Sequence, residues 1–250
     1  MKWNFRLHLV WFLALVLGAS CPGASGQTVR LESLSAWSSY VHGLGLKQDQ
    51  HVRQATGWAA GGTASLRLSR LVAVGITAGY CDLTIEQDRA VEQWNWAFWQ
   101  RFYGNYVRDL QSRDASYRAT LTPDQHLYVT QVVPCITLRW PEGGVASFYL
   151  ATGAGPWFYE RALRLHEVWE KEFPELNHVF VYDYYNHAEV RKGAVYVATL
   201  EMGVEVVAQR FLHFRLSGRY GTVLPTGGSD YERFPATSMA QLTCALVFVY

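Results

Sequence analysis

The chain has 250 residues, of which 50% are hydrophobic, 15% aromatic and only 17% charged. Soluble domains usually carry about a quarter charged residues, so an ordinary polar surface is excluded. The formal net charge of +1 and the lack of a basic run leave no electrostatic footprint for nucleic acid.

The first 26 residues read as an export signal. Met1 to Arg6 is basic, Leu7 to Leu17 is an uncharged apolar core, and small residues follow up to Gly26. The core is too short to span a bilayer as a helix, which takes about 20 residues. Cleavage is expected after Gly26, leaving one mature domain over 27–250. A rival processing route would lipidate Cys21, but Gly18 fits that pattern poorly. Past residue 26 no apolar run is long enough for a spanning helix. The remaining cysteines, Cys81, Cys135 and Cys244, are odd in number and widely spaced. They predict neither a disulfide framework nor a zinc site.

Eight segments read as strands, over 29–46, 57–68, 71–86, 126–140, 145–160, 194–208, 211–223 and 237–250. Within them apolar residues recur at every second position, which is the period of a strand with two different faces. Val72, Val74, Ile76, Ala78 and Tyr80 share one face. Leu212, Phe214, Leu216 and Tyr220 share another, against His213, Arg215, Ser217 and Arg219. Only the first strand leaves its faces open, because Leu31 and Trp37 fall on one parity and Leu34, Ala36 and Tyr40 on the other. The connections alternate in length. Turns near Ser69-Arg70, Pro141–Gly144 and Gln209-Arg210 are tight, whereas 47–56, 87–125, 161–193 and 224–236 are long. Short turns at one end and long loops at the other describe an outer-membrane barrel. With the tight turns on the periplasmic side, Trp58, Tyr80, Tyr128, Tyr196 and Tyr220 fall at the outer ends of their strands. Trp140, Phe248 and Tyr250 fall at the inner ends. These positions predict two aromatic girdles.

The long loops carry their own patterns. Val91, Trp94, Phe98, Phe102, Tyr106 and Leu110 recur every three or four residues, predicting an amphipathic helix. Its apolar side is expected to pack on the barrel rim, with a partner, glycan or lipid headgroup as the functional alternative. In 161–193, the stretch Phe180 to Tyr185 is expected to extend a strand above the membrane. Either loop could hold a surface ligand, since binding residues concentrate in loops. His178, Asp183 and His187 match no metal-ligand spacing. No nucleophile elbow, phosphate loop or zinc-protease motif occurs. His213 and Ser217 share a face, but at roughly 13 Å along the strand they are too far apart to act together. No catalytic, cofactor or metal residue is expected.

The last stretch organises the rest. Leu242, Cys244, Leu246, Phe248 and Tyr250 alternate with Gln241, Thr243, Ala245, Val247 and Val249, and no charge interrupts them. In a soluble sheet such an edge would invite aggregation, whereas barrel closure in lipid removes the edge. This ending resembles the C-terminal signal strand of bacterial outer-membrane barrels. From 27 to 250 the chain resembles the small family that includes the OmpA transmembrane domain and OmpX. The resemblance implies an all-β, eight-stranded, antiparallel up-and-down transmembrane barrel in the bacterial outer membrane. It also implies contact with outer-membrane lipid, and insertion by the barrel assembly machinery, which reads the last strand. The expected role is structural or surface-interaction, without catalysis or a large open pore. The alternatives are a barrel enzyme acting on lipid A or phospholipid, and a soluble lipocalin-like carrier.

One internal feature is expected as well. Eight strands make a barrel just wide enough for its own side chains. Glu201 and Glu205 precede the turn near Gln209-Arg210, and Arg215 and Arg219 follow it on the same inward parity. Folding that hairpin should bring the acids opposite or diagonal to the arginines, giving a lumen held by charge pairs.

Overall fold

The computed structural model describes residues 30–140 and 144–250. The predicted export signal, with Cys21 and the cleavage site expected after Gly26, lies outside the described residues, as do residues 141–143.

Nine antiparallel strands form one sheet: β1 (Arg30–Gly43), β2 (Val52–Arg67), β3 (Val72–Gln87), β4 (Tyr117–Trp140), β5 (Ala146–Phe173), β6 (His178–His187), β7 (Arg191–Gln209), β8 (Leu212–Val223) and β9 (Ser238–Val249). Each strand pairs with its sequence neighbour, except that β5 pairs with both β6 and β7. The sheet closes because β9 pairs with β1 from Val249 opposite Ser33 to Met239 opposite Gly43. The ring therefore contains eight strands, all but β6. The backbone N–H of Tyr250 donates to the carbonyl of Glu32 at 3.0 Å, so the final residue completes the seam.

Two strands are far longer than their sequence pattern predicts. The loop expected at 161–193 is largely strand, because β5 runs on to Phe173 and β6 follows it, and the last part of the loop expected at 87–125 belongs to β4, which starts at Tyr117. Their ladder continues from Tyr128 opposite Glu160 up to Tyr117 opposite Lys171. β6 returns along β5 from Phe173 opposite His178 to Arg164 opposite His187. A three-stranded head thus stands on the barrel. Alternation in this head mixes charged with apolar residues, as in Arg164-Leu165-His166, so the usual greasy-every-second signal is absent.

The helix predicted over 91–110 is instead broken. A short α1 (Ala90–Gln93) ends at Trp94, Asn95 takes a left-handed φ of 50°, and α2 (Gly104–Arg113) follows a π turn at Trp99–Tyr103. The break splits the predicted apolar stripe. Val91 and Trp94 are buried, but Phe98, Phe102 and Tyr106 are exposed, so only the start of the stripe packs as expected.

The barrel exterior is uncharged and mostly apolar all the way round. Leu34, Ala36 and Tyr40 point outward on β1, while Trp37, Ser39 and Val41 point in, which fixes the faces of that strand. Leu242, Cys244, Leu246 and Phe248 are outward on β9. Between Tyr40, Trp58, Tyr80, Phe158, Tyr196 and Tyr220 at one level and Trp140, Phe148, Phe211, Phe214 and Phe248 at the other, no outward residue is charged. The outer girdle includes a T-shaped Tyr40–Trp58 pair at 5.4 Å and a stacked Tyr80–Tyr128 pair at 6.3 Å. Phe148 and Phe158, on one face of β5, lie roughly 25 Å apart along the barrel axis at the usual rise and tilt. That equals the height of the apolar band of a bilayer-spanning barrel. Trp58, the most exposed of the outer girdle at 65%, would be poorly placed against water but well placed at a lipid headgroup.

Candidate functional site: a sealed lumen and an external head

The lumen is filled in layers. Nearest the tight turns lies an ionic layer. Register places Glu201 opposite Arg219 and Glu205 opposite Arg215. Arg219 donates to Glu201 at 2.6 Å and Arg215 to Glu205 at 2.6 Å. Glu201 also accepts from the Tyr149 hydroxyl at 2.5 Å and from Ser217 Oγ at 2.9 Å. His213 Nδ1 lies 2.8 Å from Glu205. Glu32 extends the layer across the barrel, accepting from Arg67 at 3.1 Å and from Arg139 at 2.9 Å. The guanidinium of Arg215 stacks on Tyr149 and that of Arg219 on Trp37, at 4.4 and 5.2 Å. The sequence pattern singled out four of these residues. It missed Glu32, Arg67, Arg139 and Tyr149, which come from distant strands. Arg139 and Tyr149 do fall on the inward parity near the turns, a signal that was there to use.

Above this layer a cavity of about 30 Å³ is lined by hydroxyls, among them Ser35, Thr63, Thr77 and Thr243. It has room for only one or two waters. The next layer is apolar: Leu83, Leu127, Val129, Val195, Val197 and Met239 are almost fully buried. Phe234, carried in after α3 (Ser229–Arg233), plugs its centre and packs edge-on to Tyr159 at 5.3 Å. Strand alternation gave no hint of this apolar inner half, because inward valines and leucines look like a second greasy face. Over the plug sits Arg161, whose guanidinium donates to the side-chain oxygens of Gln50, Gln87 and Gln125 and to the carbonyl of Arg233, at 2.8 to 3.3 Å. Arg161 and Arg191 both lie over the Trp94 ring, at 5.3 and 4.6 Å. Side chains thus occupy the lumen at each of these levels.

The head is built around a carboxylate. Glu167 is 0% exposed and faces α2 and β6. Its oxygens accept from Tyr103 at 2.9 Å, Tyr184 at 2.8 Å and Trp169 at 3.0 Å, and from Asn186. Four neutral donors thus stand where a cation would normally sit. On the opposite face, charged pairs cross the strands: Arg164 with Asp124 at 2.5 Å, Arg118 with Glu172 at 3.1 Å, and His166 with Asp183 at 3.0 Å. The tip of the head is pinned by Lys171, which donates to Asp114 at 2.5 Å and stacks on Tyr117 at 3.9 Å. β6 sets His178 and His187 at opposite ends of a ten-residue strand, so with Asp183 they form no cluster. Among the described residues no group of three or more His, Cys, Asp or Glu is arranged to hold a metal.

The Asp114–Lys171 pair carries a pH prediction. Hydrogen bonds from Lys171 and Ser116 hold the Asp114 carboxyl down at about 2. A depressed folded-state value means its stabilisation is present above the ordinary aspartate value of about 3.9 and is lost as pH falls towards 2. Amide exchange at the start of β4 and the end of β5 should therefore accelerate over that window. In Lys171→Met the acid-linked acceleration should be much smaller. Equal acid sensitivity in both proteins would refute the assignment.

Ring closure, the uncharged outer belt and the paired girdles decide the architecture. This is the fold of the small outer-membrane β-barrels. Comparison with solved structures returns outer-membrane barrels at low similarity. Neisserial surface protein A covers 92% of this chain and all of its own, at 9% identity and a TM-score of 0.45. The N-terminal barrel domain of Pseudomonas aeruginosa OprF covers 88% and 100%, at 10% and 0.39. Ail of Yersinia pestis, solved in complex with a heparin analogue, covers 88% and 96%, at 10% and 0.38. No family model and no curated protein matches the sequence.

Proposed function

We propose that this protein is an integral outer-membrane barrel with a surface-interaction role. Its barrel serves as a rigid anchor, and its external head presents the contact surface. The observation that carries this reading is the contrast between the two parts. The barrel is sealed by an ionic layer, an apolar plug and the Arg161 cap, so solute passage is a poor use for it. The head rises about 40 Å beyond the outer girdle, taking β5 from Phe158 to Phe173 at the usual rise and tilt. It exposes Phe98, Phe102, Tyr106, Phe180 and Tyr182. Rigid aromatics such as Phe180 and Tyr182, fixed on a sheet, lose little side-chain freedom on contact. A non-catalytic role is supported at Ser217 and His213, which share the inward face of β8. Each is engaged by a different glutamate rather than by the other.

In the same reading the partners are outer-membrane lipid, the assembly machinery that recognises the last strand, and a ligand of the head. The folded protein should stay with membranes after carbonate and salt, and should migrate faster on a gel before boiling than after it. Replacing Phe248 with Asp should sharply lower the inserted amount, since it places a charge on the outward face at the girdle and alters the terminal pattern. Full release of the wild type into the soluble periplasmic fraction would refute the anchor. Normal insertion of Phe248→Asp would refute the role given to the last strand.

A further inference from the structure

The head ends in an open edge. β6 pairs with β5 on one side, and among the described residues no backbone group pairs with its other side. Its ten residues, His178 to His187, contain no lysine, proline or glycine, and their one charge is Asp183. Val179, Phe180, Val181, Tyr182 and Tyr185 are all about half-exposed. Natural sheets blunt such edges with lysine, proline, bulges or a covering segment, and none of these protects β6. The strand has the composition that pairs most readily: β-branched and aromatic, with little charge.

We propose that this edge pairs with β6 of a second copy of the protein standing in an opposing membrane. The inference rests on the surface-interaction reading and names its partner. Symmetry supplies the argument. Pairs in an antiparallel ladder alternate between hydrogen-bonded and non-bonded types. A two-fold axis must map each pair onto one of the same type, so one residue has to face its own copy. Centring on Asp183 would set two carboxylates against each other. Centring on Phe180 or Tyr184 shortens the overlap. Centring on Tyr182 pairs His178 through Asn186 of each strand and leaves Asp183 opposite Val181 of the second copy. Phe180 then faces Tyr184, and Val179 faces Tyr185. The existing row of Phe180, Tyr182 and Tyr184, with neighbouring rings 5.7 and 6.2 Å apart, becomes a two-sided aromatic cluster. Cross-strand aromatic pairs are among the most favourable in sheets.

The same axis fixes where the second copy stands. It runs perpendicular to the head sheet, and that sheet rises out of the barrel wall, so the axis lies close to the membrane plane. Rotation about it turns the second barrel upside down. Two copies in one membrane share an up–down sense and would present their β6 edges parallel. Antiparallel pairing of this edge therefore joins two membranes.

The test uses the mature chain inserted into liposomes with heads outward. Insertion is verified by the gel shift on boiling, and orientation by labelling of a Tyr182→Cys thiol with a membrane-impermeant reagent. Two vesicle populations carry different dyes, and clustering is read as energy transfer between them. Wild-type vesicles should cluster. Tyr182→Lys and Tyr182→Glu, at a half-exposed position, should each insert normally and reduce clustering roughly tenfold or more, because like charges face each other across the axis. Mixing Lys vesicles with Glu vesicles at low salt should restore clustering. Wild-type vesicles that stay dispersed while the gel shift confirms insertion would overturn the pairing but leave the anchor reading intact. Clustering unaffected by either charge, or not restored by mixing, would overturn the two-fold register. Cross-links from Tyr182→Cys forming only within one vesicle would overturn the opposing-membrane geometry.

Discussion

Glu201→Gln and Arg219→Gln should each destabilise the barrel far more than the double exchange Glu201→Arg with Arg219→Glu. Arg219 and Glu201 are both almost wholly enclosed and bind each other at 2.6 Å. A buried charge stripped of its partner costs about 3–5 kcal/mol, since neither water nor another charge replaces what is lost. The swapped pair keeps both charges and forfeits the fitted hydrogen bonds of Tyr149 and Ser217 and the contact of Arg219 with Trp37. Glu205→Gln should do further damage, because Glu205 receives Arg215 and His213 and lies 3.9 Å from Arg139. The measurement is urea unfolding in detergent micelles, followed by the gel shift and by tryptophan emission. Both Trp37 and Trp157 sit inside the barrel and report on it. Planar-bilayer conductance is the companion readout, and the wild type should show no large steady current. Equal stability of the wild type and both single variants would show that the ionic layer is not what holds the lumen. A large conductance would show that the lumen is open.

What the sequence conveyed depended on whether one face of a strand met lipid. On β7, β8 and β9 no outward residue between the girdles is polar, and the inward charges mark the other face, so faces, register and ion pairs could be read from period two alone. β1 could not be read this way. Its outward face contains Ser38 as well as Leu34 and Ala36, and its inward face contains Trp37 among serines. The upper halves of β4 and β5 failed for a related reason. They meet water on one face and α1 and α2 on the other, so their greasy residues alternate with charges that pair across strands, and the stretch resembles a polar loop. The broken helix has a local cause. An unbroken stripe from Val91 to Leu110 would need residue 95 to be helical, but Asn95 is left-handed and turns the chain after Trp94 has been buried. Asparagine is among the few residues that adopt that conformation readily. The periodicity was real, but it belonged to two short pieces. Glu167 was invisible for a different reason: the residues that satisfy it come from α2's approach, β5 and β6, and nothing in their spacing marks a shared acceptor.

Glu167 should also be where the head is most vulnerable. Glu167→Leu would leave the Tyr103 and Tyr184 hydroxyls, the Trp169 indole N–H and the Asn186 amide without their common acceptor in a buried site. Each buried donor so orphaned costs about 1–3 kcal/mol, and the four share one site, so their losses are not simply additive. Glu167→Gln keeps an acceptor at one oxygen and adds an NH₂ that must find an acceptor of its own, so it should be milder but still disruptive. The damage should stay local. The upper part of β5, with β6, stands clear of the eight-stranded ring, and segments with few contacts to the core open independently of it. Glu167→Leu should therefore insert normally and keep its gel shift, yet lose resistance to protease between residues 90 and 190. Amide exchange in β6 should accelerate by at least the factor expected for 2 kcal/mol, roughly thirtyfold. If the ionic layer and the head are separate units, Glu201→Gln should leave head exchange unchanged, just as Glu167→Leu leaves barrel unfolding unchanged. Coordinated loss of both in either variant would mean that the long β4–β5 ladder makes head and barrel one cooperative body. In that case the head would not be a surface mounted on an anchor, and the strength of any contact it makes would depend on the ion pairs at the far end of the barrel.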